Sequence, residues 1–194
     1  MIYFTSDLHL NHEKIAIFTD RPFKRLIEHD DAIIEGINLT VGEDDKLFIL
    51  GDVSWRPPGA MLDRMVCQDR HLIWGNHDRA NYAKDFRSAE DVAEIKIGED
   101  KIWLSHYAHA YWPASHRGSY HLYGHTHMAA EEELDRIWPE RRSMDVGVDN
   151  AFRLLGSYRP FSWDEILQYL RPRKGHHQVS GKSWNGPNAD RART

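Results

Sequence analysis

The chain has 194 residues, a length that suits one domain with a substantial buried core. Its 41% hydrophobic and 28% charged residues are typical of a globular protein in water, and the net charge of -5 gives no general attraction to nucleic acid or to anionic membranes. The single cysteine, Cys67, excludes an internal disulfide and a thiolate-rich metal site, whereas thirteen histidines supply many imidazole ligands.

No secretory signal or membrane-spanning segment is visible in the sequence. Met1 is followed directly by IYFTSD, which has no charged leader and already contains a carboxylate. No apolar run approaches the roughly 20 residues needed to cross a bilayer. We therefore expect a cytoplasmic protein without a membrane partner.

Short apolar runs rich in β-branched and aromatic residues predict buried strands. In chain order, these runs are residues 2–4, 47–50, 71–74, 101–104 and 120–123. Helical spacing predicts helices over residues 29–39 and 57–70, the second opened by paired prolines. A last helix is predicted to begin at Ser162, whose spacing from Glu165 is that of a capping box, and to extend through Tyr169.

The order of these elements predicts the fold class and the domain organisation. Strands alternate with helices in the first half, whereas residues 92–148 resemble consecutive strands with short turns, which favours an α/β fold of two packed sheets with helices outside. We predict one domain over residues 1–171 and a basic, polar C-terminal tail over residues 172–194. The tail is interpreted as a flexible solvated end, with a nucleic-acid-binding arm as the alternative.

Each of the five predicted strands is followed by side chains that can bind a metal ion. Ligands collect at the carboxyl ends of strands in α/β folds, so these residues are predicted to form one metal centre. The candidate ligands are Asp7, His9, Asp52, Asn76, His106, His125 and His127. Any one of them alone would be typical of a turn or a strand end, but their coincidence at five strand ends indicates a common role.

The spacing and chemistry of the candidate ligands predict two metal ions. Residues i and i+2 of a strand share a side, so Asp7 with His9 and His125 with His127 are predicted to converge. Seven oxygen and nitrogen ligands exceed the needs of one transition-metal ion, and four imidazoles argue against calcium. Two ions bridged by a carboxylate would use all seven and leave positions for water and substrate. Sharp turns are predicted at the glycines that precede three of the ligands, Gly51, Gly75 and Gly124.

The motif order Asp-x-His, Gly-Asp, Gly-Asn-His-Asp, a later His and Gly-His-x-His resembles that of the calcineurin-like metallophosphoesterases. The resemblance covers residues 7–127 and implies a four-layer α/β/β/α sandwich with two mixed β-sheets flanked by helices. It implies a first ion bound by Asp7, His9 and His127, and a second bound by Asn76, His106 and His125. It further implies that Asp52 bridges both ions.

The same resemblance implies roles for residues outside the ligand set. His77 matches the residue that protonates the leaving group or stabilises the transition state, and Asp78 matches the partner that holds its imidazole. Arg56 falls where phosphoprotein phosphatases have a phosphate-binding arginine, although Trp55 stands where they have an acidic residue.

Three further residues are candidates for substrate binding. His12 and Arg21 lie in stretches, DLHLNH and RPF, that resemble small bacterial and phage members of the family, and for each a structural role remains the alternative. Arg117, ahead of the GHTH segment, is a weaker candidate for a phosphate contact.

These features predict a dinuclear-metal-dependent phosphohydrolase in which a metal-bridging hydroxide attacks phosphorus directly. Mn²⁺ is the preferred ion, with Fe, Zn²⁺, Ni²⁺ and Mg²⁺ as alternatives. The short segments between motifs indicate an open site, which favours a phosphodiesterase acting on nucleotides or nucleic acid. The alternatives are a phosphomonoesterase acting on nucleotides or phosphoproteins, a catalytically silent binding module, and a hydrolase of non-phosphate substrates.

Overall fold

The computed structural model describes residues 1–175, which form a mixed α/β fold with two mixed sheets flanked by helices. In chain order, the strands of this part are β1 (Ile2–Thr5), β2 (Lys46–Ile49), β3 (Asp69–Ile73), β4 (Ser88–Glu90), β5 (Val92–Ile97), β6 (Asp100–Ser105), β7 (Tyr120–Tyr123), β8 (Ser143–Asp145) and β9 (Phe161–Ser162). The α-helices are α1 (Ile15–Phe18), α2 (Leu26–Thr40), α3 (Gly59–Leu62), α4 (Glu131–Ile137), α5 (Val148–Leu155) and α6 (Trp163–Leu170). Short 3₁₀ helices cover Ala80–Asp85 and Ser115–Arg117.

The two sheets have the same arrangement, in which parallel strands are flanked by one antiparallel edge strand. The first sheet has the order β4-β3-β2-β1-β9, with β9 antiparallel to β1. The second has the order β5-β6-β7-β8, with β5 antiparallel to β6. Because β1, β2 and β3 are parallel, as are β6, β7 and β8, their carboxyl ends lie at a common edge of each sheet.

The hydrophobic core has two parts, one on each face of the first sheet. On the outer face, Ile33 and Ile37 of α2 pack in one cluster with Leu47 and Leu72 of the strands. Between the sheets, the alternate strand positions form a second cluster, as the side-chain period of two requires. Its strand residues include Phe4, Phe48, Ile73, Ile102, Leu104, Leu122 and Met144. The two-sheet α/β prediction is therefore confirmed.

All five predicted strands are present within one or two residues, and the predicted helices at 29–39 and at Ser162 are found as α2 and α6. Ser162 forms the capping box, in which its hydroxyl accepts from the Glu165 amide at 3.2 Å and the Glu165 carboxylate accepts from the Ser162 amide at 2.9 Å. Local capping chemistry thus fixes the start of α6.

The prediction of a helix over residues 57–70 is wrong beyond Leu62. The chain instead turns inward, burying Cys67 in the core before it enters β3. Arg70 compensates the missing helical bonds, since its Nη1 donates to the carbonyls of Leu62 and Cys67 at 3.0 and 2.7 Å. Tertiary burial overrides the helical spacing of the apolar residues.

The prediction of consecutive strands joined by short turns over residues 92–148 is correct only in part. Only β5 and β6 form a hairpin, whereas β6, β7 and β8 are parallel and need crossover connections. The first crossover contains the 3₁₀ helix Ser115–Arg117, and the second contains α4.

The start of the predicted C-terminal tail packs against the domain. Arg173 forms an ion pair with Asp135 at 2.8 Å, and the Gly175 amide donates to the Glu140 carbonyl at 2.9 Å. The rest of the predicted tail, residues 176–194, lies outside the described residues. Within residues 1–175, no helix is long and apolar enough to cross a membrane.

Replacing Glu165 with Gln should flatten the acid limb of the stability profile. The hydrogen bonds from Arg159 lower the pKa of Glu165 from 4.5 to about 2 in the folded protein. A depressed folded-state pKa contributes stability above the unfolded pKa, and that contribution is lost as pH falls from about 5 toward 2. Denaturant unfolding of both proteins across this range checks the prediction. The exposed Glu132→Gln is the control and should follow the wild-type profile, and identical slopes for wild type and Glu165→Gln would contradict the assignment.

Candidate metal centre

The seven candidate ligands lie where the carboxyl edges of the two sheets meet. Direct backbone bonds join the connecting loops: the Asp7 amide donates to the Gly51 carbonyl at 3.0 Å, and the Gly124 amide donates to the His106 carbonyl at 3.0 Å. A bridge between Ser6 and Gly147 links the end of β1 to the end of β8. The ligands therefore come from both sheets, and the sheet packing itself brings them together.

The predicted pairing of residues i and i+2 arises from loop geometry rather than from a pleated strand. β1 ends before Asp7 and β7 ends before His125, so neither pair lies in a strand. Asp7, His9, His125 and His127 instead have positive φ values of 56, 49, 69 and 48°. Such conformations are strained for residues other than glycine and cluster at functional sites.

A first ligand group consists of Asp7, His9 and His127, whose ligand atoms all lie within 4.8 Å of one another. Asp7 Oδ1 is 3.9 Å from His9 Nε2 and 4.0 Å from His127 Nε2. Asp7 Oδ1 and His9 Nε2 are buried without a hydrogen-bond partner. Since unpartnered buried polar atoms are costly, these two atoms fit a bound cation.

A second ligand group consists of Asp52, His106 and His125, again with ligand atoms within 4.8 Å of one another. Asn76 adjoins this group, because its Oδ1 lies 3.1 Å from His106 Nε2. The mixture of carboxylate, amide oxygen and imidazole suits Mn²⁺, Fe²⁺ or Zn²⁺ better than calcium.

Asp52 connects the two groups. Its Oδ2 is 3.6 Å from His9 Nε2 in the first group and 3.5 Å from His106 Nε2 in the second. Its Oδ1 accepts the backbone amide of His77 at 3.0 Å, which fixes the carboxylate plane. One carboxylate oxygen thus lies within 3.6 Å of a histidine of each group.

Hydrogen bonds at Nδ1 orient two of the imidazoles. His106 Nδ1 donates to the Leu50 carbonyl at 2.7 Å, and His127 Nδ1 lies 2.6 Å from Asp149 Oδ2. With Nδ1 committed to these acceptors, the Nε2 lone pairs face the ligand groups, as in carboxylate–histidine–metal arrangements.

Arg21 does not line the substrate site, and its predicted substrate role is wrong. The side chain is buried, and its Nε and Nη2 both donate to Asp149 at 2.7 Å, while further bonds reach the carbonyls of Asp7 and Leu8. Burial favours protonation of Asp149, but the bonds from Arg21 and His127 outweigh it and lower the pKa of Asp149 below its ordinary value. Arg21 therefore holds the carboxylate that orients His127.

Asp145, like Asp149, is a site residue that the sequence analysis did not identify. It is fully buried at the end of β8, and its Oδ2 accepts from the Thr126 hydroxyl at 2.9 Å and from the Met128 amide at 3.0 Å. Burial is the main cause that raises the pKa of Asp145, to about 7. These bonds fix the loop that carries His125 and His127.

Asp78 binds backbone amides rather than the His77 imidazole, so its predicted role as the partner of that ring is wrong. Its oxygens accept from the amides of Asp52, Val53 and Gly75 at 2.9, 3.0 and 2.9 Å. Asp78 therefore fixes the turn that presents Asp52. The His77 ring is exposed at the surface of the site, with its centroid 5.6 Å from that of His9.

The other predicted substrate residues are divided between two regions. His12 and Arg56 line a cavity beside His9, with ring centroids of His12 and His9 separated by 5.7 Å. Arg117 precedes β7 and lines a different cavity with Asp100, at the amino edge of the sheet. The structure therefore does not place Arg117 beside the ligand groups, and its phosphate contact stays a prediction.

Glycine is needed at positions 51 and 124 for two different physical reasons. Gly51 has φ of 92°, which other residues rarely adopt. A Cβ at Gly124 would lie 1.9 Å from Ser6 Oγ and 2.4 Å from Asp7 Oδ2. Gly51 thus serves a turn, as predicted, whereas Gly124 is required by the close approach of its backbone to Asp7.

The fold and site define a class of α/β protein in which two sheets jointly present a pair of metal-capable Asp/His groups. Residues 1–139 match the family model of the calcineurin-like phosphoesterase superfamily domain. The chain therefore belongs to the calcineurin-like phosphoesterase superfamily, which confirms the family resemblance of its motifs.

Individual relatives match nearly the whole chain. An uncharacterised protein of Methanocaldococcus jannaschii is 28% identical over 177 residues, which cover 89% of this chain and 93% of that protein. The gene 66 protein of Mycobacterium phage L5 is 25% identical over 211 residues, which cover 90% of this chain and 98% of that protein. The crystal structure of a protein of unknown function from Aquifex aeolicus matches with a TM-score of 0.70 and 23% identity, over 87% of this chain and 98% of that chain, and so supports the fold.

Substitution of Gly124 by Ala should lower both stability and metal affinity. The new methyl group would overlap Ser6 Oγ and Asp7 Oδ2, and such overpacking costs about 1–3 kcal/mol. Thermal unfolding and Mn²⁺ titration calorimetry measure the two effects. The control is Gly42→Ala, where the nearest atom is the Asp45 carboxylate at 3.3 Å, and its metal affinity should match the wild type. Undiminished Mn²⁺ affinity in Gly124→Ala would refute this account of the Asp7 environment.

Proposed function

We propose that this protein is a dinuclear-metal-dependent phosphohydrolase. The observation that carries the proposal is the position of Asp52 Oδ2, 3.6 Å from His9 Nε2 of the first ligand group and 3.5 Å from His106 Nε2 of the second. A carboxylate between two ligand groups suits a pair of ions held a few ångströms apart, as in two-metal hydrolysis of phosphoesters. Membership of the calcineurin-like phosphoesterase superfamily supports the same activity.

The first ion would be held by Asp7, His9 and His127, and the second by Asn76, His106 and His125, with Asp52 between them. Mn²⁺ is the proposed ion, since the mixture of carboxylate, amide and imidazole donors suits it, with Fe, Zn²⁺, Ni²⁺ and Mg²⁺ as alternatives. When bound, the ions would supply positive charge to the phosphoryl oxygens and lower the pKa of coordinated water.

The residues of the chain then have separate tasks in one displacement step. Water first releases one proton to solvent, and the resulting hydroxide oxygen forms a bond to phosphorus as the bond from phosphorus to the leaving oxygen breaks. His77, exposed beside His9, donates a proton to the leaving oxygen. Asp78 and Asp149 do not touch the substrate in this scheme, because they hold the Asp52 turn and the His127 ring.

The open shape of the site favours phosphodiesters over small monoesters. Asn76, His77 and His125 are exposed, and within residues 1–175 no separate domain covers them. An open site can admit a phosphate with a substituent on each side, as a phosphodiester of a nucleotide or nucleic acid requires. Activity on a monoester alone would support the phosphomonoesterase alternative.

Substitution of Asp52 by Ala should abolish binding of the metal pair. Removing a bridging ligand should cost more than the roughly 10- to 100-fold that loss of an outer partner costs in metal affinity. Metal analysis after dialysis of Mn²⁺-loaded protein checks this. The control is the exposed Asp44→Ala, which should retain wild-type metal content. Retention of wild-type metal content by Asp52→Ala would exclude a bridging role.

Replacing His77 with Ala should leave metal content intact and reduce turnover. Loss of a general acid typically costs about 10²- to 10⁴-fold, and the loss should be greatest for poor leaving groups. Turnover of aryl phosphodiesters with graded leaving-group pKa values measures this dependence. A uniform loss across the series would argue against proton donation by His77, and failure of metal-loaded wild type to hydrolyse any aryl mono- or diester would overturn the proposed function.

A further inference from the structure

A cavity of about 450 Å³ opens beside the first ligand group. Its volume falls in the range of roughly 300–1,000 Å³ that is typical of small-molecule sites. Its walls include His12, Lys14, Phe18, Trp55 and Arg56. The cavity is lined by none of the proposed metal ligands, but it adjoins them through His12, whose ring centroid lies 5.7 Å from that of His9.

Two aromatic side chains of this cavity are exposed although their size favours burial. Trp55 is 46% exposed and Phe18 is 70% exposed. The Trp55 ring lies 4.5 Å from the His12 ring and 5.2 Å from the His77 ring, measured between centroids. Exposed aromatic surface beside a polar centre is typical of a ligand-binding surface. Because His77 is the proposed proton donor to the leaving oxygen, its contact with Trp55 places Trp55 on the leaving-group side of the site.

Charge in the cavity suits a substrate with a phosphate next to a planar group. Lys14 and Arg56 carry two positive charges, whereas Glu13 carries one negative charge and lies 3.9 Å from Arg56 Nη2. Aromatic rings interspersed with cations are the usual means of binding a nucleobase and its backbone. A phosphoserine or phosphothreonine peptide offers no planar group at the corresponding position, so the cavity favours a nucleotide.

We propose that this cavity is a nucleobase-binding subsite, in which the base of the leaving nucleoside stacks on Trp55. The inference rests on the proposed phosphohydrolase function and names its substrate class, phosphodiesters whose leaving group is a nucleoside. Hydrolysis of adenosine 5′-(methyl phosphate) should therefore release adenosine and methyl phosphate, with the proton delivered to the 5′ oxygen.

A matched pair of esters isolates the contribution of the base. Adenosine 5′-(methyl phosphate) carries adenine at the anomeric carbon, where ribose 5-(methyl phosphate) carries a hydroxyl. Wild-type protein with Mn²⁺ should prefer the first by roughly 5- to 100-fold in kcat/KM. Trp55→Ala should lose most of this preference, and Trp55→Phe should retain part of it. Trp138→Phe, at the C-terminal end of α4 and outside the cavity lining, should match the wild type. Equal losses on both esters in Trp55→Ala would assign Trp55 to positioning His77 and would overturn the subsite.

Binding of adenosine gives a readout that is independent of turnover. Adenosine, but not ribose, should quench the tryptophan fluorescence of the metal-loaded wild type and of Trp138→Phe, and the quenching should disappear in Trp55→Phe. If neither ester is hydrolysed while adenosine still quenches through Trp55, the subsite stands and the proposed function fails. If the esters are hydrolysed without base preference, or a phosphoserine peptide is preferred and adenosine does not quench, the subsite is refuted.

Discussion

The burial of the Asp7 carboxylate is the constraint on which the rest of the site depends. Asp7 is fully buried where loops from both sheets meet, and its Oδ2 accepts the His125 amide at 2.9 Å while Oδ1 has no hydrogen-bond partner. Burial raises the pKa of Asp7, because the charged form loses its hydration. A cation bound at Oδ1 would offset this cost, and metal binding would then stabilise the fold.

Three acidic residues that are not metal-ligand candidates hold the loops of the ligand groups in place through hydrogen bonds. Asp145 holds the turn that carries His125 and His127, Asp78 holds the turn that carries Asp52, and Asp149 orients His127 directly. Each uses several hydrogen bonds, and together these offset the cost of the positive φ values nearby. Hydrogen bonds within the protein therefore hold the geometry of the ligand groups.

The candidate ligands could be predicted from sequence because each follows a recognisable apolar strand, and parallel strands bring such positions to one edge. Asp145 and Asp149 could not, since their roles depend on how β8 and α5 meet the loop after β7 and, for Asp149, the Arg21 side chain from the loop after β1. Arg21 was misassigned for the same reason, because neither its burial nor its pairing with Asp149 has a local signature. The secondary structure could be predicted where local spacing and tertiary burial agree, as in α2. The helix prediction fails beyond the end of α3, where burial of Cys67 overrides the helical spacing.

Backbone hydrogen bonds join the loop that carries His9 to the loop that carries Asp52, Trp55 and Arg56. The Trp55 amide donates to the Leu10 carbonyl at 2.8 Å, and the His9 amide donates to the Asp52 carbonyl at 2.9 Å, so one set of backbone bonds joins the loops of both ligand groups. Trp55 and Arg56 extend from this ladder toward solvent, whereas His9 and Asp52 are directed inward. Because the backbone bonds do not involve the exposed side chains, substitution at these two positions should leave the geometry of the ligand groups unchanged, whatever its effect in the proposed subsite.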